Sequence, residues 1–265
     1  MLLIDGDVIC YKACPDRFRD IPLQLDADGK KVEVNFTMGE NVKYMEQCWA
    51  KFKKLIIEMQ ERLFKDQVLI AVKGDGNFRD DVFSEYKANR KSRPANYLGE
   101  IVKELRLRAI RELGAIPSDG READDLLRIW KVERDAQGLD SIICSIDKDL
   151  LTIPGEHYVI HKDESVTMTK AESCSFFYQQ LIKGDPTDNI KGCIGIGDKK
   201  AFALIAPCKD EIEMRIVAEA TYRDVYGDDG WLEMLVLCGQ LVHLQRNFDD
   251  VFQHWGEVEE NLIYD

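Results

Sequence analysis

The sequence predicts an α/β fold on a mostly parallel sheet. Short apolar runs alternate with segments of helical period, the pattern of strands joined by crossover helices. Three of these runs lead into aspartates, at Asp5, Asp75 and Asp147. Open parallel sheets bind ligands beyond the carboxyl ends of their strands, so the topology should gather these acids on one rim.

Residues 1–9 read as a buried opening strand. Residues 22–36 alternate about Asp28-Gly29 and predict a β-hairpin. Residues 40–65 place Leu55, Ile56, Met59 and Leu63 on one helical face. Val68–Val72 is a second strand, and residues 78–96 are polar, basic and aromatic. Helices follow over 97–114, stopping at Gly114, and over 121–137. Ser141–Ile146 reads as a third buried strand and 157–161 as a short fourth. Thr169 is placed to cap a helix reaching Lys183. A glycine-rich stretch at 192–197 precedes mostly helical sequence.

The 265 residues suffice for one large domain, or one with a small helical appendage. No apolar run reaches membrane-spanning length and no signal-peptide pattern opens the chain, so a cytoplasmic protein is expected. The eight cysteines are scattered and read as reduced, mostly buried thiols. His157 and His161 fall on a strand, where a spacing of four does not make a metal pair. A net charge of −13 argues at first against a nucleic-acid partner. The argument is weak where acids are concentrated at a metal site.

Beyond the strand-end acids Asp5, Asp7, Asp75, Asp147 and Asp149, Glu122, Asp124 and Asp125 open a helix, where the dipole favours anions. Asp185 and Asp188 precede the glycine stretch. Each has an ordinary reading as a turn or a cap. Together they are costly: two carboxylates about 4 Å apart repel by ~1 kcal/mol in water and ~4 kcal/mol at an effective dielectric of 20. Divalent cations would offset this, and oxygen ligands suit Mg²⁺ or Mn²⁺. Against the acidic average, residues 79–111 are rich in Arg and Lys, and mix Arg79, Tyr86, Lys87, Arg90 and Lys91. Such mixtures suit phosphates and stacked bases, and equally a solvated helix face. Gly192, Gly195 and Gly197, followed by Lys199 and Lys200, could bring backbone N–H groups to phosphate.

These blocks resemble the 5′→3′ exonuclease and flap endonuclease superfamily, most nearly its phage-encoded 5′→3′ exonucleases. The matching segments are Ile4-Asp5-Gly6-Asp7, Asn77-Phe78-Arg79, Tyr86 to Lys91, Glu122-Ala123-Asp124-Asp125, Ser145 to Leu150, and Lys183 to Ile190 leading into G-x-x-G-x-G. The resemblance implies a PIN-like catalytic domain over 1–183 and a helix-hairpin-helix with further helices over 184–265. It implies one metal site from Asp5, Glu122, Asp124 and Asp125, with Asp147 and Asp149 following, and a second from Asp185 and Asp188. Lys87 and Arg90 match residues that approach the scissile phosphate, and Lys12 matches another cation. DNA with 5′ ends or flaps, or RNA–DNA hybrids, would be the partner. A K⁺ would accompany the hairpin, and a phage-encoded protein would work in host cytoplasm. The family usually places an aspartate where this chain has Val72; Asp75 is the candidate to stand in through a shifted loop. Relatives often carry a neutral residue at the position of Asp7.

Two rival readings are a haloacid-dehalogenase-type phosphatase, with Asp5 of Asp5-Gly6-Asp7 as nucleophile, and a non-catalytic binder of branched DNA. The first leaves the basic stretch and the glycine hairpin unexplained. The second gives so many acids no role.

Overall fold

The computed structural model describes residues 1–20, 24–25, 31–32, 38–91 and 96–255. Strand β1 (Leu2–Asp5) passes directly into helix α1 (Gly6–Ala13). The expected strand over 1–9 is therefore cut short, because the Asp5 carboxylate accepts a hydrogen bond from Val8 N at 3.2 Å and caps the helix. Val8, Ile9 and Cys10 are buried as a helix face instead. Strands β2 (Gln24–Leu25) and β3 (Lys31–Val32) pair antiparallel as the hairpin reading requires, while the Asp28-Gly29 turn lies outside the described residues. Helix α2 (Met38–Leu63) and strand β4 (Val68–Val72) follow as expected. The basic-aromatic stretch holds two short helices, α3 (Phe78–Val82) and α4 (Ala88–Lys91). Helix α5 (Tyr97–Leu113) is capped by the Asn96 side chain and stops at Gly114, whose φ of 67° suits glycine.

After β5 (Ile116–Pro117) come α6 (Ala123–Ala136), β6 (Ile142–Ser145), β7 (Gly155–Val159) and β8 (Glu164–Met168). The six-stranded order is β5-β4-β1-β6-β7-β8. Every pairing is parallel except β7 with β8. Strand β8 is an exposed edge, and its alternation is carried by Val166 and Met168 alone, too short a pattern to stand out in the sequence.

The central strands are apolar on both sides because both faces are covered. Leu2, Ile4, Ile70 and Val72 pack against α1, α2 and α5. Leu3, Ala71 and Ile143 pack against Leu126, Leu127 and Trp130 of α6. A second core joins α7 (Lys170–Lys183) to α8 (Asp198–Ile205), α9 (Glu211–Tyr226) and α10 (Trp231–Val242). Thr169 and Glu172 cap α7 reciprocally. Phe177, Tyr178, Leu181 and Ile182 of α7 belong to this second core. All eight cysteines are free, and seven are buried. Among the described residues no helix is long and apolar enough to cross a membrane.

Gly6 sits where α1 crosses β4. A Cβ there would lie 2.7 Å from Ala71 O and from side-chain carbons of Ile70 and Val72. The backbone oxygen cannot move aside cheaply. Gly6→Ala should therefore destabilise the fold by ~1–3 kcal/mol, measured by urea denaturation. An unchanged midpoint would show that α1 is not pinned against β4.

Candidate active site

The parallel pairing of β1 with β4 and β6 sets their carboxyl ends on one rim, and α6 starts at the same rim. Asp5, Glu122, Asp124 and Asp147 line one open cleft of about 570 Å³, together with Asp7, Lys87, Arg90 and Arg106. Asp5 is held at both oxygens, by Val8 N and by Ser145 Oγ at 2.8 Å. Ser145 Oγ also accepts from Asp147 N at 3.0 Å, so one hydroxyl ties the ends of β1 and β6 together. Glu122 caps the start of α6 and accepts from Asn77 Nδ2 at 3.0 Å and from Tyr86 OH at 3.3 Å. The Lys87 ammonium bonds to the same carboxylate.

Lys87 lies 3.4 Å from Asp188, and Arg90 lies 2.5 Å from the other oxygen of Asp188. The segment carrying both cations, Lys87 and the start of α4, is fastened to the 185–190 segment. Lys87 N donates to Asp188 O at 3.0 Å, and Asn189 Nδ2 donates to Glu85 O at 3.0 Å. These bonds hold Lys87 at φ +54°, a conformation costly for a residue with a Cβ. Asp149 and Asp185 line an adjoining cavity of about 250 Å³ with Lys148, Lys183 and Asp198.

Burial, and then the neighbouring acids, push the Asp5 carboxyl up from 3.8 to about 6. Burial with Asp5, Asp147 and Glu122 nearby holds Asp124 well above the carboxylate range. Burial and Asp147 push Asp149 to about 6. Burial also raises Asp188, although Lys87 and Arg90 oppose it. Burial acts to lower Lys87, but Glu122 and Asp188 outweigh it and hold the ammonium charged. The cleft is thus a crowded anionic floor with a cationic flank. Among the described residues no three Asp, Glu, His or Cys side chains close on a single point as a metal shell. Lys87 stands between Glu122 and Asp188 instead. The donor set, all carboxylate oxygen, fits hard divalent cations.

Several expected site residues lie elsewhere. Asp125 is fully buried, and both its oxygens take the Arg79 guanidinium at 2.7 and 2.9 Å. It also accepts from Glu122 N and Gln245 N at 3.0 Å each, which leaves it a structural anchor and not a metal ligand. Arg79, 1% exposed, is correspondingly unable to meet DNA. Tyr86 is buried too, so its ring is no stacking platform. Asp75 is exposed, with its N–H on Asp119, and does not line the cleft; the end of β4 offers only Val72. Lys12 is half-buried in the last turn of α1, away from the cleft lining. The Lys91 side chain lies outside the described residues. Gly192 is buried, and a Cβ on it would meet Gly184 N at 2.3 Å, so it serves backbone packing. Gly195, Gly197, Lys199 and Lys200 are exposed around the start of α8. Sequence reading missed Ser145, Asn77 and Arg106. Asn77 carried a usable signal as a cap residue before Phe78, and Ser145 opens one of the matching segments; Arg106 carried none.

A mostly parallel sheet with acids over its carboxyl rim and cations beside them has the form of a resolvase-like nuclease domain. The profile of the 5′-3′ exonuclease, N-terminal resolvase-like domain family matches residues 1–179. The chain belongs to that family, whose members are nuclease hydrolases. A 5′-3′ exonuclease of Buchnera aphidicola is 30% identical over 220 residues, 77% of this chain and 69% of that protein. DNA polymerase I of Chloroflexus aurantiacus is 28% identical over 170 residues, 58% of this chain. The chain spans 18% of that polymerase's length. The T5 5′-exonuclease with divalent metal ions (zinc) bound superposes with a TM-score of 0.59 at 17% identity, covering 91% of this chain and 94% of that one. A bacteriophage T5 flap endonuclease in a pseudo-enzyme–product complex with DNA and metal ions gives 0.59 at 15% identity, with the same coverages. These two likenesses concern the fold.

Removing one partner of a buried ion pair strands the other charge. Asp125→Asn should cost ~3–5 kcal/mol of stability, whereas Asp5→Asn should do the reverse in chelator. The Asp5 carboxyl binds its proton more tightly folded, near 6, than at the ordinary 3.8. Its ionisation therefore opposes folding; the penalty is absent below about pH 4 and full above about pH 6. Urea denaturation in EDTA should show Asp5→Asn gaining ~1–3 kcal/mol over the parent between pH 4 and pH 7. A gap independent of pH would refute the assigned cause.

Proposed function

We propose that this protein hydrolyses DNA phosphodiesters from 5′ ends or at 5′ flaps, using two divalent cations, Mg²⁺ or Mn²⁺. The observation that carries the reading is the meeting of Asp5, Glu122, Asp124 and Asp147 in one cleft with Lys87 and Arg90 at its side. Those four acids would hold one ion; Asp149, Asp185 and Asp188 would hold the other. Bound there, such ions supply an activated water and stabilise the leaving oxygen. Lys87 and Arg90 exchange their carboxylate partners for phosphate oxygens as substrate enters, and neutralise charge that develops on them. Glu122 and Asp188, released by the same exchange, become available as oxygen donors. The glycine turn before α8, with Lys199 and Lys200 exposed beside it, grips duplex backbone away from the cut, with K⁺ as its accompanying ion. The RNA strand of RNA–DNA hybrids is a second substrate on this reading.

A phosphatase using Asp5 as nucleophile is disfavoured. Asp5 is 6% exposed and both its oxygens already accept hydrogen bonds.

Activity on 5′-labelled flap DNA should vanish in EDTA, return with Mg²⁺ or Mn²⁺, and release short products bearing 5′-phosphates. Turnover in chelator, or shortening only from the 3′ end, would overturn the reading. Asp185→Asn should cut the single-turnover rate by about a hundred-fold or more while DNA binding stays equal or tightens, since an anion facing phosphate is lost. Lys199→Ala and Lys200→Ala should instead weaken binding, each lowering the salt slope by about one unit, with the saturated rate near normal. A normal rate in Asp185→Asn would break this division.

A further inference from the structure

Asp7 stands outside the ligand set above, yet its position is built. One of its oxygens accepts from Arg106 Nε at 2.7 Å and from Lys73 N at 3.2 Å. Among the described residues no hydrogen bond is made to the other oxygen, and Asp7 lines the cleft beside Asp5. The pair is only partly exposed, at 24% for the Asp7 side chain and 20% for that of Arg106. Lys73 is the first residue after β4. That strand ends in the buried Val72, and Asp75 beyond it is exposed and does not line the cleft. Through its bond to Lys73 N, the α1 side chain of Asp7 sets a carboxylate at the one central strand end that has none of its own.

Resting on the reading of the cleft as a divalent-cation site, we propose that Asp7 is a further ligand of that site and Arg106 its positioning residue. A carboxylate fixed at one oxygen by a guanidinium and a backbone N–H has its second oxygen oriented before an ion arrives. Such partners behind a ligand typically account for 10–100-fold in metal affinity. The competing role for the pair is a plain tie between α1 and α5. A partly exposed ion pair contributes little as a tie, ~0–1 kcal/mol, and a tie has no effect on cation uptake.

The test is Mn²⁺ binding to the DNA-free protein, read from the electron paramagnetic resonance of free Mn²⁺. Thermal melts and circular dichroism of each variant establish folding. Asp7→Asn should weaken the tighter site by about ten-fold or more, Arg106→Gln by about three- to ten-fold, and Arg106→Lys by less than Arg106→Gln. The double variant Asp7→Asn/Arg106→Gln separates ligation from charge, because it has no stranded guanidinium to repel Mn²⁺. It should bind as weakly as Asp7→Asn. Parent-like binding by Asp7→Asn, or recovery in the double variant, overturns the inference while leaving the cation-binding cleft intact. A parent that takes up no Mn²⁺ overturns both.

Discussion

The guanidinium of Arg79 is the point on which the site is hung. Its two terminal nitrogens grip Asp125, its Nε donates to Leu241 O at 3.0 Å, and one terminal nitrogen also reaches His243 O at 2.7 Å. Asp125 in turn takes the N–H of Glu122 and of Gln245. One buried pair thereby joins α3, the first turn of α6 and the segment after α10. Burying two charges is unfavourable unless their remaining donors and acceptors are satisfied, and here backbone groups at the start of α6 and over 241–245 satisfy them. The consequence for the cleft is geometric. Glu122 and Asn77 are each within three residues of the pair, so fixing the pair fixes Glu122, which meets Lys87, and Asn77, which donates to Glu122.

Around that anchor the cleft is arranged by charge. Parallel pairing delivers Asp5 and Asp147 from adjacent strand ends, and the Ser145 hydroxyl spaces them. The start of α6 delivers Glu122 and Asp124 to the same rim. The cations come from a different source, a loop held in a strained conformation by the 185–190 segment of the second core. The cleft is therefore shared between two cores. Acids are presented by the sheet and the start of α6, and the position of the lysine and arginine beside them depends on the helical part.

Much of the fold was legible because it follows from periodicity. The β4, β6, α2, α5, α6 and α7 assignments match the structure to within a few residues, since their apolar spacing is long and regular and their caps are explicit at Asn96, Thr169 and Gly114. The opening strand was overread because Val8, Ile9 and Cys10 are apolar in either conformation, and a cap at Asp5 decides between them. Strand β8 was missed because an exposed edge needs little apolar patterning, and here only Val166 and Met168 alternate. In the cleft, the acids at strand ends and at a helix start were legible as types in places where ligands gather.

By itself the sequence determined an α/β sheet, an acidic rim, a basic flank and the family. Tertiary structure alone decided which charged residues face the cleft. Asp124 and Asp125 are neighbours in the chain, but helical rotation sends one to the rim and the other into the core. Arg79 and Lys87 look alike in a basic stretch; one is buried against Asp125 and the other reaches the acids. Asp7 and Asp75 differ in the opposite sense to the sequence expectation, because a bond to the end of β4 holds Asp7 in place while the chain carries Asp75 past the rim. A charge's role depends on what the three-dimensional packing leaves beside it, and residue type and spacing do not encode that.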